Sequence, residues 1–530
     1  MTCLFRNIQS DLYSNRTTSL TMSQKLFKEE FVSHLNGTSL GEISLGLSLP
    51  PLCLMFRGLV LISLCMENQL LGCSWFVHLL FDFTVLVAPL VFSCTVFSGF
   101  LILFPVGLIA LNTTLLLQLY NTRRPVVPVR SKHIIDEFLN CKLEAEHIPS
   151  VTVFRVSINM LTAVSILAVD FVSFPRRYAK TESYGTGVMD FGVGAFVFAN
   201  ALVCPEVRRK NTQCSQSKEV NVVKQLISVW PFILLGVGRL ITVKAADYHE
   251  HTSEYGVHWN FFFTLAVVRV ASSLLLTHFS VNRSGMLSVI IAVFYQIVLQ
   301  STELKMFILH GNTDDVSRTG FLNANREGIF SVIGYVAIYM AGIQVGLFVL
   351  TKRITVKDWI PAICWLMFGS FALFTLLWVV QIYIEPVSRR IANLPFCIWI
   401  VAQSLYFLSF ILLLDLVLLF AKLLSGGSVV PSSWNISHSF NLTQRRISNQ
   451  KFKPFIQERN ASNCCLFEAI NRNQLLFFLQ SNVMTGIVNM LTDTINTSTA
   501  FSIFILLLYM FCNSFIMYVL HMRKITIKYW

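Results

Sequence analysis

Asp170 and Lys180 lie ten positions apart at the end of an apolar run, with Pro175 between them. Proline breaks a helix and lets the chain turn back, so the carboxylate and the ammonium can be brought together. A desolvated Asp next to a Lys can take a proton from a hydroxyl, while the Lys stabilises negative charge developing on a carbonyl oxygen. The same pair also serves as a structural lock on a helix end, and spacing alone leaves both readings open. Arg176 and Arg177 carry forked donors suited to phosphate, and equally to anchoring on lipid headgroups. Gly185, Gly187, Gly192 and Gly194 follow, with Asp190 among them. Small residues let a neighbouring helix or a lipid tail approach closely, and an acid inside an apolar run calls for a partner or a cavity. Asp82, Asp415 and Asp493 pose the same question with less context.

Three further polar clusters interrupt the apolar chain. The stretch from His249 to His258 leads into Trp259 and Asn260. His258 suits a general base or a donor to a sugar, and His and Trp are also common interfacial anchors. Asn323, Asn325, Arg326 and Glu327 open another apolar run, where an Asn caps a helix and an acid suits the first turn. Together these four residues exceed what a cap requires and fit a hydroxyl-rich, phosphorylated group. Glu385-Pro-Val-Ser-Arg-Arg390 is the last cluster.

The elements that position these groups follow from composition. Apolar residues make up 54% of the 530 and charged residues 13%, with a mean hydropathy of +0.62, which a water-soluble chain of this length cannot accommodate. Apolar runs of about 20 residues indicate membrane-crossing helices, and no ten-residue alternation points to a barrel. The fold class is therefore an all-α, polytopic membrane bundle. Spans are expected at 45–66, 75–95, 97–120, 152–174, 187–204, 225–244, 257–279, 285–302, 328–350, 358–383, 392–423, 474–495 and 499–521, about thirteen helices. With the N-terminus lumenal and the C-terminus cytosolic, about 23 of the 41 Lys and Arg fall on the cytosolic side, roughly twice the opposite set. This topology gives a lumenal tail 1–44, of which 1–21 reads as an upstream extension, then a single transmembrane domain 45–521 with a cytosolic loop 424–473, and a cytosolic tail 522–530. All four polar clusters then sit at lumenal helix ends, which suggests one shared cavity. No cleavable signal peptide is apparent. Among the sequons, Asn36 is the best placed for glycosylation.

The net charge of +13 matches anionic lipid heads and topology, and it requires no nucleic acid partner. There is no P-loop, no His-Glu-x-x-His and no Gly-x-Ser-x-Gly on a strand and turn, so ATP-driven transport, zincin chemistry and a hydrolase elbow lack support. The thirteen cysteines are scattered and show no metal-binding spacing. Cys464-Cys465 reads either as an S-acylation site or as two ordinary loop thiols.

Three segments carry a family resemblance. They are Ala168-Val-Asp-Phe with Phe174 to Gly194, Glu254 to Phe263, and Leu322 to Ile329. Together they resemble the phosphatidylinositol-glycan class W family, the inositol acyltransferases of glycosylphosphatidylinositol (GPI) anchor biosynthesis, over about Met22 to Trp530. The resemblance implies a multi-pass endoplasmic reticulum enzyme with no cofactor. It would move a fatty acyl group, usually palmitoyl, from palmitoyl-CoA to the inositol 2-hydroxyl of glucosaminyl-phosphatidylinositol. It further implies Asp170 and Lys180 as the acid and base pair, and favours acyl transfer over the rival reading, a lipid or solute transporter using the same intramembrane charges.

Overall fold

The computed structural model describes residues 35–66, 74–122, 131–143, 148–212, 227, 229–245, 252–311, 318, 320–425, 430–436 and 465–527. Among these residues the fold is all-helical, with β-type pairing confined to isolated bridges. The long helices are α1 (Leu40–Met66), α2 (Trp75–Ser93), α3 (Leu103–Thr122), α4 (Pro149–Ala168), α5 (Val188–Leu202), α6 (Trp230–Ala245) and α7 (Phe261–His278). They continue with α8 (Ser284–Ser301), α9 (Arg326–Val349), α10 (Val356–Tyr383), α11 (Leu394–Leu424), α12 (Gln474–Leu491) and α13 (Thr499–Met522). Each expected span has a helix. Twelve are long and apolar enough to cross a membrane. The exception is α6, whose 16 residues span only about 24 Å at 1.5 Å per residue, whereas α5 reaches crossing length by running on to Arg208.

Local sequence explains several ends. Asn260 begins α7 by accepting the amides of Phe262 and Phe263, and Asn393 caps α11 by accepting that of Phe396, with Pro395 in the first turn. Thr355 and Asp358 form a capping box on α10. In α2, Phe83–Val87 widen to a π-turn just before Pro89, which cannot donate to a carbonyl one turn back. Helix α1 begins at Leu40, five residues before the expected start, because Glu42 is held by Arg177 at the end of the bundle.

The most apolar stretch of α4 is 78% buried and that of α3 only 17%, so α4 is central and α3 peripheral. Phe294, Trp365, Phe371 and Trp378 each expose about two-thirds of their surface and form part of the lipid-facing skin. Inside, Phe154 packs on Phe198 and Phe407, and Phe191 on Trp399, joining α4, α5 and α11.

Two parts of 424–473 differ from a plain polar loop. Residues 430–436 return to the bundle, where Lys422 donates to the carbonyls of Val430 and Trp434. A short helix, Leu466–Arg472, buries Leu466, Phe467, Ala469 and Ile470. Its alternating polar and apolar sequence conceals this apolar face. Cys465 is fully buried beside Ser432 Oγ, and burial pushes its thiol up, so it is closed to S-acylation in the folded chain. Cys464 lies outside the described residues, as do 1–21.

Gly334 on α9 lies against the turn before α11, where a Cβ would come within 2.1 Å of the Ala392 carbonyl oxygen. Gly334→Ala is expected to cost about 1–3 kcal/mol through overpacking and to lower the thermal midpoint in detergent. An unchanged midpoint would show that this backbone contact relaxes freely.

Candidate active site

The loop between α4 and α5 carries Asp170 and Lys180 and is built by its own polar residues. Arg176 turns back on the end of α4 and donates to the carbonyls of Val169, Phe171 and Phe174 at 2.8–3.2 Å, closing the turn that follows the helix. Burial pushes the Arg176 pKa down to about 10, with the charge of Asp170 opposing the shift. These donors are occupied by backbone, which favours neither of the two roles expected for Arg176. Arg177 makes a two-pronged pair with Glu42 of α1 at 2.9–3.2 Å. Tyr178 donates to the same carboxylate at 2.5 Å.

Lys180 does not fold back onto Asp170. Its ammonium pairs with Glu254 at 2.5 Å, and burial lowers its pKa while Glu254 opposes the shift. Asp170 Oδ2 accepts instead from Asn489 Nδ2 of α12 at 2.8 Å. The expected single ion pair is thus resolved into two contacts on different helices. Pro175 does turn the chain, but it is Arg176 that returns to the end of α4, while Lys180 runs on to Glu254.

Asp190, one turn into α5, is fully buried. Its Oδ1 accepts from Arg389 at 2.6 Å, and its Oδ2 accepts the amide and hydroxyl of Thr181 at 3.0 and 2.9 Å. Asp190 therefore positions the residue next to Lys180. With both oxygens taken by Arg389 and Thr181, it acts as a strut. Gly187 allows this arrangement, because a Cβ there would meet Ala179 O at 2.3 Å and Asp190 Oδ2 at 2.8 Å. Gly185, at φ +128°, gives its amide to Val387. On α5 itself, Gly194 meets Ile400 of α11, so helix packing accounts for that glycine.

The remaining clusters close around the loop. The backbone N–H of His258 donates to Asn325 Oδ1 at 2.8 Å, while its side chain is exposed. Trp259 Nε1 donates to Thr264, and Asn260 Nδ2 to the Gly236 carbonyl. Asn323 accepts from Arg326, which also holds the Ile308 carbonyl. Glu327 is fully buried and takes Arg318 and Arg390, both at 2.9 Å. Asn325 stands at the start of α9 without capping it by its side chain, having spent that oxygen on His258. Glu385 receives Lys305, Gln296 and Asn393. The four sequence clusters are thus joined at one end of the bundle through Lys180–Glu254, His258–Asn325, Glu327–Arg390 and Asp190–Arg389.

Sequence reasoning did not assign roles to Glu42, Glu254, Arg389 and Asn489. Glu254 and Arg389 stood inside quoted clusters, but nothing in their spacing marked their partners. Asn489 offered one signal, a polar side chain in the last turn of an apolar span.

Such an ion-paired end on a bundle of apolar helices defines a polytopic membrane protein with a candidate active site at its helix ends. The sequence pattern of the GWT1 family matches residues 24–520. Glucosaminyl-phosphatidylinositol-acyltransferase PIGW of Bos taurus is 49% identical over 513 residues, covering 96% of this chain and all of the relative. Its Homo sapiens counterpart is 46% identical over 515 residues with the same coverage. GPI-anchored wall transfer protein 1 of Aspergillus fumigatus is 32% identical over 524 residues, covering 92% of this chain and 95% of the relative. The chain belongs to the GWT1 family.

Removing one partner of a buried ion pair leaves an uncompensated charge, at a cost of about 3–5 kcal/mol. Asp190→Asn and Arg389→Gln should each cut the monodisperse yield in detergent sharply, and the double variant should lose less than the two losses combined. Near-normal yields for both single variants would exclude the strut role.

Proposed function

We propose that this protein is a glucosaminyl-phosphatidylinositol acyltransferase of GPI-anchor biosynthesis. The observation that carries this reading is the convergence of Asp170, Lys180 and the other three polar clusters on one end of the bundle, in a chain whose mammalian relatives bear that name over their full length. The acyl donor is palmitoyl-CoA, the acceptor position is the inositol 2-hydroxyl, and the protein resides in the endoplasmic reticulum membrane. The polar end faces the lumen and the C-terminus the cytosol, with α6 counted as a thirteenth span. The exposed Asn36 is then on the glycosylated side.

Transfer then proceeds without an acyl-enzyme. Asp170 takes the proton of the inositol hydroxyl as its oxygen attacks the thioester carbon. The new C–O bond forms, and Lys180, oriented by Glu254, donates to the oxyanion. Collapse breaks the C–S bond, and the proton on Asp170 passes to the sulfur, releasing CoA as the thiol. The fatty chain remains among the apolar helices, and the phosphorylated acceptor enters at the polar end, where it would have to draw Arg177 from Glu42 to use its forked donors.

Asp170→Asn and Lys180→Ala, expressed at wild-type level, should lower acyl transfer in microsomes by about 10²-fold or more. Release of CoA should depend on the glycolipid, which separates acyl transfer from transport. Full activity in both variants would remove the assignment. The pH dependence has a definite sign. Lys180 acts as a cation and its pKa is lowered by burial, so kcat/KM should fall on the alkaline side below pH 10.5, the ordinary lysine value. In Lys180→Arg that alkaline limb should vanish, whatever activity remains, because a guanidinium keeps its proton.

A further inference from the structure

The C-terminal helices reach the Asp170 environment with groups that the reaction above leaves unused. Asn489 gives its Nδ2–H to Asp170 Oδ2 at 2.8 Å. An ionised carboxylate can only accept, so the amide must turn its nitrogen to Asp170 and its oxygen elsewhere. That oxygen, Oδ1, is buried and has no hydrogen-bond partner, a condition that disfavours the resting site until a donor arrives. On α13, Ser502 donates to Ser173 Oγ at 2.9 Å, so the segment just after Asp170 is tied to both C-terminal helices.

A carboxylate and a carboxamide joined edge to edge present two acceptor oxygens to two donors side by side. Neighbouring hydroxyls on a six-membered ring offer that pair of donors, whereas a simple alcohol uses one. From this geometry we infer that Asn489 is an acceptor-binding residue. Its nitrogen fixes the Asp170 carboxylate, and its oxygen takes the hydroxyl next to the one that is acylated. The ligand class is a cyclic polyol, and the hydroxyl in question is the 3-hydroxyl of the inositol, since the phosphate occupies the other neighbour. This inference rests on Asp170 acting as the base.

The test uses the full chain in microsomes that lack other inositol acyltransferase activity, with the normal glycolipid and one whose inositol is 3-deoxy. Asn489→Ala should lower kcat/KM for the normal acceptor by about tenfold to a hundredfold while leaving KM for acyl-CoA unchanged. The wild-type protein should use the 3-deoxy acceptor poorly, and Asn489→Ala should use the two acceptors about equally. Asn489→Ser keeps a small polar side chain that cannot reach both Asp170 and the neighbouring hydroxyl, so it should lose activity and discrimination at a near-normal thermal midpoint. It carries the test if the Ala variant fails to fold. Asp170→Asn is run in parallel. If it is inactive while the Asn489 variants keep wild-type discrimination between the acceptors, the inference falls and the base assignment stands. If Asp170→Asn is active, the base assignment itself has failed.

Discussion

Asp190 has no exposed surface, and its two oxygens organise the polar end of the bundle. One oxygen takes the Arg389 guanidinium and the other takes both donors of Thr181. Where water is scarce, a carboxylate is tolerated only if nearly every lone pair is used. That requirement fixes three segments at once: the start of α5, the loop carrying Lys180 and the turn before α11. The same turn holds Glu327 through Arg390, so α9 is brought into register by the adjacent residue. Charge satisfaction, more than apolar packing, sets how these helix ends meet.

The opposite end of the bundle follows the same rule with a different outcome. Arg57 and Asp82 are almost fully buried and pair at 2.6 Å, and Asp82 also accepts the backbone amide of Leu466. This contact ties the start of the Leu466–Arg472 helix to α2, while the helix itself packs on α4 and α13. Lys422 holds the 430–436 segment by its carbonyls. Here the charges clamp connecting segments onto the bundle.

Fold class and span positions were legible because lipid imposes a simple length and composition rule. The helix α6 is the marginal case, since its apolar stretch Trp230–Thr242 is short. The convergence of the four clusters was also legible, through the alternation of helix direction. The pairings were not. Lys180 to Glu254 and Asp170 to Asn489 span 74 and 319 residues, and no periodicity links such positions. Spacing favoured Asp170 with Lys180 because it could not show that Arg176 would spend its donors on the end of α4. Asp190 was recognisable as an acid needing a partner, but its service to Thr181 emerged only in three dimensions. Cys465 looked like an accessible loop thiol because the burial of its neighbours depends on Asp82, far away in sequence.

The loop bearing Asp170 is tied to α1 through Glu42 and Arg177, to α12 through Asn489, and to α13 through Ser502 and Ser173. The last of these contacts spans 329 residues. During synthesis the loop is made before half of the chain, yet its surroundings are complete only after the final two helices have left the ribosome and inserted. The growing chain therefore carries an unfinished site through most of its own production, and competence arrives with the last hairpin. A chain that stops short of α12 would contain both Asp170 and Lys180 and still lack the contacts that hold the loop in place.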